Sequence, residues 1–237
     1  MDIPSFLIGK EAGGSGANLN DYFNTTYTYS AQQKPAYANM IKKLPPLTIV
    51  NGDATNLISD CSINQIVGAG VEELPIITNL NEITIFSNTF AGCKKITKVN
   101  FNYSTFSTLI TNMAGMFRMC SAMTEIDMST LGNITTDLNC ASMFQRCTNL
   151  KKINLCNFNP TGNTDNIKNM FAYCTSLEEL DVSSMDFSLF ADISLFFGAS
   201  ATNNLPDNCL IYVKDQTQKT LVETAVPRLT NVRVKGA

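Results

Sequence analysis

The sequence predicts an α/β repeat fold. It would be a solenoid of 27-residue coils, each with a short parallel strand and a helical turn, with an extended N-terminal arm and a βαβ C-terminal cap. Three observations predict it. Phe and Cys recur at one fixed spacing, apolar and polar residues alternate after each Cys, and a strand–helix–strand pattern follows the last copy. Composition permits such a fold, since 44% of the 237 residues are hydrophobic, enough to build a sizeable core.

Phe90, Phe117, Phe144 and Phe171 stand 27 residues apart, and so do Cys93, Cys120, Cys147 and Cys174. Ile96, Met123, Leu150 and Leu177 follow at Cys+3; Val99, Ile126, Ile153 and Leu180 at Cys+6; Phe101, Met128, Leu155 and Val182 at Cys+8. A period of about 20–29 residues carrying Leu-x-x-Leu-x-Leu marks a leucine-rich-repeat solenoid. The last two positions alternate with polar neighbours, as a half-buried strand requires. Met116, Phe117 and Cys120 are spaced i, i+1 and i+4, which predicts one side of a short helical turn. Coils are expected about 5 Å apart on the strand side and wider apart on the helical side. One coil cannot bury its apolar side alone, whereas stacked coils can.

The Phe and Cys ladders are therefore read as core. Zinc needs four sulfurs converging at about 2.3 Å on one point, and a straight ladder spreads them along an axis. Parallel Cβ vectors oppose disulfides between rungs. The ladder cysteines read as buried spacers, and no metal or other cofactor is expected. Cys61, Cys140, Cys156 and Cys209 follow no period.

Weaker copies flank the array. Leu80, Ile83 and Ile85 fit strand slots, with Ile77 in the cysteine slot, and Phe197 takes the Phe slot of a final copy that lacks a cysteine.

The outward strand positions form two further ladders. Lys98, Glu125, Lys152 and Glu179 alternate in charge, and Asn100, Asp127, Asn154 and Asp181 alternate amide with carboxylate. Opposite charges on adjacent rungs contribute about 0.2–1 kcal/mol per pair and set register. The same eight residues make a polar face suited to protein or glycan recognition, and they are the candidate binding residues.

Chemistry is restricted. With no histidine, Ser-His-Asp and Cys-His nucleophiles and His-based zinc sites are outside this chain's reach. Glu178, Glu179 and Asp181 leave a carboxylate-based glycan hydrolase as a remote alternative. That reaction needs two carboxyl groups facing across a cleft, and an open strand face offers none, so no enzyme activity is expected. With 17 basic and 20 acidic residues and no basic run, no nucleic-acid partner is expected. No apolar stretch approaches the roughly 18–20 residues of a membrane span, so no insertion is expected.

The ends differ from the middle. Residues 1–46 read as an arm in which "GKEAGGSGANLN" is a linker and Pro35 opens a short helix. Residues 47–83 read as an N-terminal capping region with degenerate repeats, 84–200 as the repeats and 201–237 as the C-terminal cap. In that cap "CLIYV" is strand-like, Asp215 and Gln218 form a capping-box pattern before Leu221 and Val222, and "NVRV" closes as a strand. Ile3, Phe6, Leu7 and Ile8 form an apolar plug separated by glycines from the body, an anchor that seeks another subunit. The opening run is too short and lacks the basic flank of an export signal, which predicts folding in a cytoplasm.

"NMFAYCTSLEELDVSSMDFS" resembles the BspA-type leucine-rich repeat over residues 84–198. That family, found in bacterial, protozoan and some bacteriophage surface proteins, implies adhesion. "IPSFLIGKEAGG" more loosely resembles the N-termini of bacteriophage virion proteins. Together these resemblances imply a virion structural protein, assembled in the host cytoplasm and tied to other virion proteins through the arm. As a homo-oligomer it would display the solenoid, as decoration or for adhesion to a bacterial surface protein or glycan. The alternative is a bacterial cell-surface adhesin that binds host protein or glycan.

Overall fold

The computed structural model describes residues 12–13, 49–50, 52–55, 72, 80–100, 106–131, 137–198 and 205–236. The anchor residues Ile3, Phe6, Leu7 and Ile8, the Pro35 segment, Cys61 and Ile77 lie outside the described residues. Inside the stretch read as a linker, β1 (Ala12–Gly13) pairs in parallel with β2 (Ile49–Val50).

The main body is a six-stranded, wholly parallel sheet whose strands follow chain order. It comprises β3 (Lys98–Asn100), β4 (Glu125–Asp127), β5 (Lys152–Asn154), β6 (Glu179–Asp181), β7 (Leu210–Val213) and β8 (Val232–Val234). From β3 to β6 the register is the repeat period itself: Val99 pairs with Ile126, Ile126 with Ile153, and Ile153 with Leu180. These central residues are buried, whereas the flanking Glu125, Asp127, Lys152, Asn154 and Glu179 are at least partly exposed. With a side-chain period of two, a three-residue strand can bury only its middle member. The result is an α/β arrangement compatible with stacked coils.

The turn side departs from the expected helical turn. Cys93 donates its amide to the Phe90 carbonyl, Cys120 to Phe117, and Cys147 to Phe144, all i→i−3 bonds. The alternate amides leave their own coil. Asn88 donates to Ala114, Phe90 to Met116 and Gly92 to Arg118, and the next coil repeats this from Gly115, Phe117 and Met119. A helix would spend every amide internally. Left-handed residues break that run, at Asn88, Gly115, Ser142 and Asn169, and again at Gly92, Met119, Arg146 and Tyr173. Non-glycine residues adopt this conformation at a cost of roughly 1–2 kcal/mol each. The amide bonds to the next coil, 2.7–2.9 Å from Asn88, Phe90 and Gly92, offset it. The turn side is thus laced to its neighbours as the strand side is, and the expected wider spacing there does not occur.

Inside, the rings of Phe90, Phe117, Phe144 and Phe171 stack at centroid distances of 5.4, 5.8 and 5.6 Å. The stack ends at Phe171, which meets Phe196 edge-on at 5.0 Å and 85°. Phe196, not Phe197, therefore meets the last ring of the ladder. At the other end Ile85 does not join the main sheet. It forms isolated parallel bridges with Asp53 and Asn112, and Asn112 bridges Asn139, in a second ladder on another edge of the coil. Leu80 lies in a three-residue 3-10 turn before it.

After β6 the spacing changes. Helix α1 (Gln216–Ala225), the one α-helix among the described residues, is capped by Asp215, whose carboxylate accepts the Gln218 amide at 3.0 Å. The reciprocal half of the capping box is not made. The Gln218 side chain is buried and turns away from Asp215, accepting the Phe187 amide at 2.8 Å and donating to Asp186 at 3.0 Å. It fastens the helix to the preceding coil, where the core phenylalanines Phe187, Phe196 and Phe197 meet.

Candidate functional site

Each outward residue has a defined place. Lys98, Glu125, Lys152 and Glu179 lie side by side on β3 to β6, as do Asn100, Asp127, Asn154 and Asp181. Lys152 reaches Glu179 at 3.3 Å, and the neighbouring Lys151 reaches Glu178 at 2.9 Å. All four side chains are more than a third exposed, so each pair contributes roughly 0–1 kcal/mol. The Glu178 and Glu179 carboxylates are thereby paired with lysines on the strand side.

The second row works on the backbone. Asp127 accepts the Ser129 amide at 2.9 Å, Asn154 the Cys156 amide at 3.1 Å, and Asp181 the Ser183 amide at 3.0 Å. An Asn or Asp that accepts the amide two residues on closes an Asx turn, which is how β4, β5 and β6 end. The turn needs an oxygen acceptor and is indifferent to charge, which explains an alternation of amide and carboxylate. Asp181 goes further from the expected face: it is only 8% exposed and is bound to the ammonium of Lys235. That hydrogen bond holds the Lys235 ammonium above the usual lysine range.

Sequence reasoning missed Lys235 and gave Gln218 only a place in a capping box; both come from outside the period. It also missed Asn112 and Asn139, which accept the amides of Ala114 and Ala141. Their 27-residue spacing was the available sign.

The ladder thiols have a task beyond filling space. Cys120 donates its S–H to the Phe90 carbonyl, Cys147 to Phe117 and Cys174 to Phe144, each at 3.1 Å. Each of these carbonyls already accepts an amide from its own coil, so the thiol occupies its second lone pair from the coil above. Cysteine suits this place because it combines an apolar volume with a weak donor. Cys140 points the other way, sending both its amide, at 2.8 Å, and its S–H, at 3.1 Å, to the Asn166 carbonyl of the next coil. Burial pushes the Cys174 thiol up to about 12 and raises Cys147 likewise. A raised thiol pKa stabilises fully below the unfolded value near 9, and that contribution is lost as pH rises toward 12. In native protein at pH 8, Cys93, Cys120, Cys147 and Cys174 are expected to resist iodoacetamide while half-buried Cys156 reacts. Rapid labelling of the ladder, or stoichiometric zinc by elemental analysis, would overturn this assignment.

Residues 84–208, just over half the chain, match the family described as a Mycoplasma protein of unknown function, DUF285. The match falls on the coils just described. No curated protein and no solved structure matches.

Proposed function

Because the chain belongs to the DUF285 family, we propose its function from its own residues: a non-enzymatic recognition scaffold, a leucine-rich-repeat solenoid closed by a βαβ cap and displayed on a particle or cell. The carrying observation is how its reactive groups are spent. The thiols of Cys120, Cys147 and Cys174 and the carboxylates of Asp127 and Asp181 are engaged by backbone groups. What the coils leave outward is a repetitive polar surface, the form in which stacked-repeat proteins present binding faces.

The first placement is a bacteriophage virion, with the plug of Ile3, Phe6, Leu7 and Ile8 docked into another virion protein or a second copy. It rests on the likeness of the N-terminus to virion proteins. The second is a bacterial cell surface, favoured by the family's description as Mycoplasma proteins. Immunogold electron microscopy of the source culture tests both. Label on free particles supports the first, label on intact cells supports the second, and label on neither overturns display. Deleting residues 1–16 is expected to change the melting temperature by less than about 2 °C while abolishing incorporation. A deleted chain that still assembles would remove the anchor.

A further inference from the structure

The main sheet ends at β8, with β7 on one side of it. The Ile211 amide donates to the Asn231 carbonyl at 3.0 Å, and the Lys235 amide donates to the Val213 carbonyl at 2.9 Å. Peptide groups of a parallel strand face its two sides at alternate residues, and Val232 and Val234 are the register partners of Ile211 and Val213. Asn231, Arg233 and Lys235 therefore serve β7, while the N–H and C=O groups of Val232 and Val234 point out of the stack. Such a row is a template for another strand.

Two cations stand against that use. Lys219 of α1 donates its ammonium to the Val232 carbonyl at 2.7 Å and pairs with Glu223, one helical turn on, at 2.9 Å. An outward carbonyl of the edge is thus taken by the chain's own helix. A second strand would have to displace that bond and strip water from a strongly hydrated ammonium. Arg233, in the middle of β8, is exposed. Two copies meeting at this edge about a two-fold axis would run antiparallel, with Val232 of one exchanging bonds with Val234 of the other. Arg233 would then lie directly opposite Arg233, and like charges so placed destabilise a strand pair.

We infer that Lys219 and Arg233 close the β8 edge against a second copy of this chain, so that the sheet ends with one copy and caps do not join edge to edge. Lys219 acts on the backbone that a copy would need, and Arg233 acts on the side chain that a copy would bring. The two barriers are independent, since one sits on the edge carbonyl and the other at the centre of the strand. Any joining of copies is left to other surfaces. The inference does not depend on the surface-recognition reading, because the edge is the same on a particle or on a cell.

The test is sedimentation velocity of the full chain from low to high micromolar concentration, each variant compared with the wild type's own state of assembly. Lys219→Met keeps the apolar stem and removes the donor, and Arg233→Thr removes the charge and suits a strand. Together they are expected to raise self-association by about tenfold or more, and each alone by less. Lys214→Met, the same charge change at an exposed lysine before α1, is expected to alter it by less than about threefold. Adding Val234→Pro to the double variant is expected to restore wild-type behaviour, because it removes an outward N–H and leaves the bonds to β7 in place. A double variant that is folded by circular dichroism yet sediments as wild type at every concentration would overturn the inference. Association that Lys214→Met reproduces, or that Val234→Pro leaves intact, would overturn it too. Should the double variant melt early, Arg233→Thr alone carries the same comparison, since it touches no bond of α1.

Discussion

Phe144→Ala is expected to lower unfolding free energy by about 3–5 kcal/mol, the largest loss from any single truncation in the ladder. Phe144 is fully buried and lies parallel, within 4°, to Phe117 on one side and Phe171 on the other. Truncation removes two ring contacts, each contributing about 0.5–1.5 kcal/mol beyond burial, and opens a cavity between coils laced by backbone bonds. The Phe144 carbonyl, which accepts Cys147 N–H and Cys174 S–H, is retained by alanine, so the loss reports the side chain. Phe90 has one stacked partner in the ladder and should lose less. Denaturant titration at 25 °C measures both. A loss under about 1 kcal/mol at Phe144 would mean that the rings do not carry the stack.

Gln218→Leu is expected to cost about 2–3 kcal/mol, although it nearly conserves volume and adds apolar surface. The substitution strands the Phe187 amide, which Gln218 Oε1 accepts at 2.8 Å, and takes a donor from Asp186. The Asp215 cap survives, since it uses the backbone amide of residue 218. Acid titration separates the two effects. The Ser188 hydroxyl foremost, then its amide and the Gln218 side chain, hold the Asp186 carboxyl below its ordinary range. A depressed carboxyl contributes stability above its unfolded value near 3.8, and this is lost as pH falls through the folded value. The variant should show a shallower loss below pH 4 but retain part of it, because Ser188 remains. A variant as stable as wild type would show that α1 docks by apolar contact alone.

The charge ladders show how far spacing carries. Alternating Lys98, Glu125, Lys152 and Glu179 were legible as neighbours, and they are neighbours. What the neighbouring Asn and Asp side chains do was not. From the sequence Asp127, Asn154 and Asp181 are outward polar groups; in the structure each closes a turn two residues on. An Asx turn depends on backbone direction at the strand's end, which the identity of one side chain does not specify.

By itself the sequence determined what repeats. A 27-residue period forces equivalent residues into register, because any other pairing would turn Val99, Ile126, Ile153 and Leu180 away from a common core. It also determined the change of pattern after β6, where Asp215 starts a helix through a local amide bond. Only the tertiary structure decided how the coils are laced. Left-handed Met119 and Arg146 and the alternating amides exist because a neighbouring coil offers carbonyls to receive them. Thiol bonds to the coil below, Gln218 reaching Phe187 and Lys235 reaching Asp181 have the same origin. Local sequence sets which groups a coil exposes, and the stack sets which of them meet a partner.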